Sequence, residues 1–209
     1  MIYVTFYKAQ GAFAGGWNSF TAWMTGGQYC HSEIVINIPP DVLMNLVGEV
    51  YGKNTHNLNL IHSIETTFFD SKRAKEILHN SETVWLSFSS LWGEPMATRF
   101  LEQMKSDSWF AIPGENTPSI DVVQIPTTTD EQLKDVARFC ITELGKQYDK
   151  TGALTSWLPS FGGQTDVKTQ NSIFCSELCV GCLQIMGLLQ NVDAKSVTPN
   201  ALYDLLKSI

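Results

Sequence analysis

The chain has 209 residues, 44% of them hydrophobic and 17% charged, enough for one domain with a sizeable core and no need of disulfide support. Its net charge of −7 leaves no basic patch to neutralise phosphates, which argues against nucleic acid as a partner. Five cysteines, three of them crowded into Cys175, Cys179 and Cys182, give no disulfide framework and point to reducing, cytoplasmic surroundings.

Met1 to Ala9 lacks the basic leader and cleavage site of a signal peptide, and residues 2–7 alternate as a first strand. The small run Gly11 to Gly16 suits a turn that lets backbone approach closely. Trp17 to Thr25 has apolar residues at helical spacing until Gly26-Gly27 ends it. His31 to Ile38 alternates as a half-buried strand and stops at Pro39-Pro40. Asp41 to Val50 then reads as a short helix with Val42, Leu43, Leu46 and Val47 inside. Leu58 to Ile64 alternates again, placing Glu65 at a strand end. Further strands are expected at 83–88 and 119–125, separated by a helix from Pro95 to Lys105 and a loop from Ser106 to Pro118.

Thr128 to Leu144 is the clearest helix. It opens on a Thr128-x-x-Glu131 capping box, carries Leu133, Val136, Ala137, Cys140 and Leu144 on one stripe, and stops at Gly145. Residues 157–170 form a Gly/Pro loop with Trp157 and Phe161, either a substrate wall or a packed surface loop. A helix with Asn171 or Ser172 as its cap then aligns Leu178, Cys179, Cys182, Leu183 and Met186, and Thr198-Pro199 opens a last helix to Leu206. No apolar run reaches the length of a membrane span. Strands gather within 1–125 and large helices within 126–209. This is an α+β pattern, an antiparallel sheet with helices packed to one side.

Chemistry concentrates at Cys175. A cysteine in the first turn of an apolar helix meets unpaired N–H groups and the positive end of the helix dipole, which stabilise a thiolate. Of the four histidines, His31 opens a core strand and is the candidate base; His62 is expected to be structural, and His56 and His79 exposed. Cys179 and Cys182 read as buried structural thiols. Zinc on Cys30, His31, Cys175 and Cys179 is disfavoured because short Cys-x-x-Cys pairs are missing from that set, so no metal and no cofactor is expected.

A histidine strand followed far downstream by a cysteine helix is the papain-like layout in reversed order. The chain resembles the circularly permuted papain-like hydrolases of the YiiX/YaeF type, relatives of the NlpC peptidases with bacterial, phage and large-DNA-virus members. The resemblance rests on residues 23–35 around His31, Ile61-His-Ser-Ile-Glu65, Leu144-Gly-Lys-Gln-Tyr-Asp149, Ile173-Phe-Cys-Ser-Glu-Leu178 and Val197-Thr-Pro-Asn-Ala-Leu202. It implies one permuted NlpC-like domain over 1–209, with Cys175 as nucleophile, His31 as general base and Glu65 orienting the imidazole. Glu33 and Ser63 are the rivals of Glu65. Tyr148 resembles the family tyrosine beside the nucleophile, an oxyanion donor or a core tyrosine, and Asp149 braces its loop. Cys30 stands where the family often has Ser, as a buried small residue or a redox partner of Cys175.

The implied reaction is cysteine-dependent cleavage of an amide bond, in a peptide or an amidated protein, through an acyl-enzyme. The alternatives are a lipid esterase, thioesterase or acyltransferase, an isopeptidase for ubiquitin-like modifiers, and a non-catalytic binding protein that keeps the fold. The implied partners are peptide, modified-protein or lipid-like acyl substrates, met in the cytoplasm or, for a viral member, in the host cytoplasm or virion.

Overall fold

A computed structural model describes residues 1–10, 27–101, 119–126, 129–155 and 172–209, in which alternating β-branched and aromatic residues build an antiparallel sheet. Its five strands are β1 (Ile2–Lys8), β2 (Tyr29–Ile38), β3 (Val84–Ser89), β4 (Ala97–Phe100) and β5 (Ile120–Gln124), in spatial order β4-β3-β2-β1-β5. The helices are α1 (Pro40–Lys53), α2 (Leu58–Ile64) running into a π-helical turn (Glu65–Phe69), α3 (Lys72–Asn80), α4 (Asp130–Glu143), α5 (Lys150–Thr155), α6 (Cys175–Ile185) and α7 (Pro199–Lys207). Short strands β6 (Gln147–Tyr148) and β7 (Ser172–Ile173) pair in parallel just ahead of α6. The result is a mixed α+β architecture. Among the described residues no helix is long and apolar enough to cross a membrane.

Strand alternation divides the sheet into two faces. Ile34, Ile36 and Ile38 of β2, with Leu86 and Phe88 of β3, join the main core, which also holds Leu46 and Val47 of α1, Val136 and Cys140 of α4, Leu178, Cys182 and Leu183 of α6, and Leu202 of α7. Tyr3, Val35 and Leu101 form a smaller cluster, and Tyr7 packs with Ile120. His31 and Glu33 share the strand parity of Val35, while Ser32 shares that of Ile34.

Several expectations are corrected. Residues 58–64 form α2 and not a strand, because Leu60 and Ile64 satisfy a helical spacing as well as an alternating one and both are buried, while Leu58 is 77% exposed. The Asn57 side chain caps this helix by accepting from the Leu60 N–H. The helix expected from Pro95 is strand β4, whose Ala97 to Phe100 pair with Ser89 to Leu86, a tertiary pairing that overrides local propensity. Helix α4 is capped one residue later than expected. The Thr129 hydroxyl accepts from the Gln132 N–H at 3.2 Å and the Gln132 side chain accepts from the Thr129 N–H at 3.0 Å. Helix α6 has Phe174 at its cap, while Ser172 lies in β7. The strand-rich half also carries three helices, α1 to α3. The expectations at 11–16, 17–25, 106–118 and 157–170, together with Thr128 and Asn171, lie outside the described residues.

Candidate active site

Helix α6 starts at Cys175, so the sulfur sits at the N-terminal end of an 11-residue helix whose Leu178, Cys179, Cys182 and Leu183 are anchored in the main core. Packing of α6 on β2 is fixed by these residues and by the Cys179 thiol, which donates to Ser32 Oγ at 3.6 Å. That contact brings Cys175 to the beginning of β2, where a bulge interrupts the pairing with β1. Tyr7 opposes His31, but Lys8 opposes Tyr29, leaving Cys30 as the extra residue. His31 therefore stands at an irregular strand end, beside Cys175.

The imidazole is held from the far side. His31 Nε2 lies 3.1 Å from Glu33 Oε1 and 3.1 Å from Ser89 Oγ. Glu33 is fully buried, and its other oxygen accepts from Tyr7 OH at 2.9 Å and from the Ser87 hydroxyl. Burial alone would raise the Glu33 carboxyl. Hydrogen bonds from His31, Ser87 and Ser89 outweigh it and hold the group below its usual range, so it is a carboxylate.

The same balance sets the cysteine and the histidine. Burial would push the Cys175 thiol up, but the hydrogen bond and charge of His31, with backbone N–H groups of Ser32 and Ser176, bring it below an ordinary thiol. Burial would lower His31, but the Cys175 and Glu33 contacts raise it to about 9. Both shifts favour the charged pair, thiolate and imidazolium, over the neutral one.

The other thiols differ. Burial, with the nearby charge of Cys175, pushes Cys30 up to about 12, and its thiol donates to the Tyr7 carbonyl at 3.4 Å. Burial also pushes Cys179 and Cys182 up, and Cys182 sits 3.4 Å from Cys140 sulfur to sulfur.

Of the residues singled out in the sequence, Cys175, His31 and Tyr148 are brought together and Glu65 is not. Tyr148 lies in β6, paired beside Ile173, and its phenol is pushed up by burial and then by the charges of Cys175 and Asp149, so it stays a donor. Trp92 packs on its ring at 5.4 Å between centroids. Asp149 accepts from the Gly152 N–H at 2.8 Å, a loop brace. Glu65, expected at the end of a strand beside His31, lies in the π-helical turn after α2 and accepts from Tyr51 OH at 2.8 Å. Ser63 lies in α2 against Gly145. The carboxylate on the imidazole is Glu33.

Sequence reasoning missed Tyr7, Ser87 and Ser89. Ser87 and Ser89 alternate with Leu86 and Phe88, so their parity marks a polar stripe beside Glu33. Among the described residues no group of three His, Cys, Asp or Glu side chains is placed to hold a metal ion. Compared with family models, with curated proteins and with solved structures, the chain matches none.

Proposed function

We propose that the protein is a cysteine-dependent hydrolase that cleaves an amide bond through an acyl-enzyme on Cys175, with a permuted papain-like site. The observation that carries this reading is the buried run Cys175–His31–Glu33, in which the imidazole neighbours the sulfur and pairs with the carboxylate at 3.1 Å. The Cys175 thiolate attacks the carbonyl carbon, and the carbonyl electron pair moves to oxygen. In this reading the Cys175 backbone N–H, at the start of α6, and the Tyr148 phenol donate to that oxyanion.

Collapse breaks the carbon–nitrogen bond while the His31 imidazolium gives its proton to the leaving amine. Neutral His31 then takes a proton from water, hydroxide attacks the thioester, the carbon–sulfur bond breaks and the thiolate–imidazolium pair is restored. An amine must be protonated to leave, whereas a thiolate leaves unaided. The His31 imidazolium supplies the proton that amide cleavage requires.

The test is a panel of acyl-enzyme-forming electrophiles on peptide, ubiquitin-like and lipid carriers, applied to the wild type and to Cys175→Ala. Labelling of the wild type alone by a peptide or ubiquitin-like carrier supports the amide reading. Labelling by the lipid carrier alone moves the substrate to acyl lipids. Equal labelling of both proteins removes the hydrolase reading.

A further inference from the structure

The segment from Val197 to Asn200, which leads into α7, touches both halves of the candidate site. On the nucleophile side, Ser176, the residue after Cys175, donates its hydroxyl to the Val197 carbonyl at 2.6 Å. On the base side, the Asn200 carboxamide grips the Tyr29 peptide at two points. The Tyr29 N–H donates to Asn200 Oδ1 at 2.9 Å, and Asn200 Nδ2 donates to the Tyr29 carbonyl at 3.0 Å. Ser176, Val197, Thr198 and Asn200 are all buried.

This grip stands where, among the described residues, no strand extends beside Tyr29 on the β3 side of β2, beyond the β3 register. The β3 register on β2 begins at Ile34 and Phe88, so Tyr29 at the bulged start of β2 lies beyond it. A primary amide offers one donor and one acceptor at peptide spacing, and here it pairs with Tyr29 as a neighbouring strand would. Room for it is provided by Gly27, where an added Cβ would lie 2.2 Å from Asn200 Oδ1 and 2.4 Å from its Cγ. The Thr198 hydroxyl caps α7 by accepting from the Ala201 N–H, which holds the Asn200 turn in place.

We propose that Asn200 is a positioning residue, acting with Gly27 and the Ser176–Val197 bond as a clasp that fixes the bulged start of β2 against the first turn of α6. The inference rests on the hydrolase reading above. Tyr29 is two residues before His31 and three before Ser32, whose N–H helps to lower the Cys175 thiol. A strand end loosened at Tyr29 carries both the imidazole and that N–H away from the sulfur. Asn200 acts through the Tyr29 peptide.

The experiment measures iodoacetamide labelling of Cys175 against pH in the full chain, by peptide mapping, with melting followed in parallel. Asn200→Ala and Gly27→Ala each raise the pH at which Cys175 titrates, lowering its labelling rate on the acid side about tenfold. Together they are less than additive, because both remove one contact. Asn200→Asp keeps the acceptor for the Tyr29 N–H, loses the donor, and falls between. Leu206→Ala, a buried change elsewhere on α7, lowers melting but leaves the profile in place, which separates positioning from general loss of stability. A wild-type profile in Asn200→Ala and Gly27→Ala overturns the clasp while sparing the hydrolase reading. An ordinary thiol titration in the wild type itself overturns both.

Discussion

Glu33 Oε1 stands 3.1 Å from Nε2 of His31, two residues earlier on the same strand, so one element supplies both the imidazole and the carboxylate paired with it. In the proposed reaction this pairing fixes the orientation of the ring beside Cys175. Glu33→Gln is expected to lower turnover of the labelling-competent substrate by roughly 10²–10⁴-fold, whereas Glu65→Gln leaves it unchanged. Steady-state kinetics on the two variants decides between them, and a loss confined to Glu65→Gln would reverse the assignment.

The rate should follow a bell in pH. As pH falls, the thiolate is protonated, and because His31 holds Cys175 below an ordinary thiol, the acid limb lies below about 8.5. As pH rises through about 9, His31 loses the proton it must give to the leaving amine. Glu33→Gln removes one of the contacts that raise His31, so its alkaline limb shifts to lower pH. A profile of kcat/KM over the full range checks both limbs.

Tyr148→Phe removes a phenol that burial and the Cys175 charge keep protonated. If that phenol holds the oxyanion, kcat falls by up to about 10²–10³-fold with KM little changed. A fall in melting temperature with kcat intact would make Tyr148 a core tyrosine instead.

Gly145, after the end of α4, has φ of +79°, and a Cβ there would lie 2.7 Å from the Asn59 carbonyl oxygen. Gly145→Ala is expected to destabilise the fold by about 1–3 kcal/mol through backbone strain and that clash. Urea unfolding measures it, with labelling of Cys175 unaffected wherever the variant is folded.

What the sequence disclosed depended on whether a signal was local. The stripe of α4 and its stop at Gly145 are local, and both lie where the spacing puts them. The same holds for the Thr198-Pro199 start of α7 and the buried face of α6. Leu58 to Ile64 failed because seven residues can satisfy two periods, and burial of Leu60 and Ile64 decided for the helix. Glu33 was visible as a same-face neighbour of His31, but choosing it over Glu65 required knowing that Glu65 leaves the sheet altogether. The Asn200 grip on Tyr29 joins residues 171 positions apart, and no local pattern encodes such a pair.

The sharpest test is the titration of one thiol. Labelling of Cys175 by iodoacetamide is followed against pH in the wild type and in His31→Ala. A thiolate–imidazolium pair predicts fast labelling well below pH 8.5 in the wild type. It also predicts loss of that acid-side reactivity in His31→Ala, as burial pushes the thiol up again. Superimposable profiles for the two proteins, with Cys175 titrating as a free thiol, would contradict it.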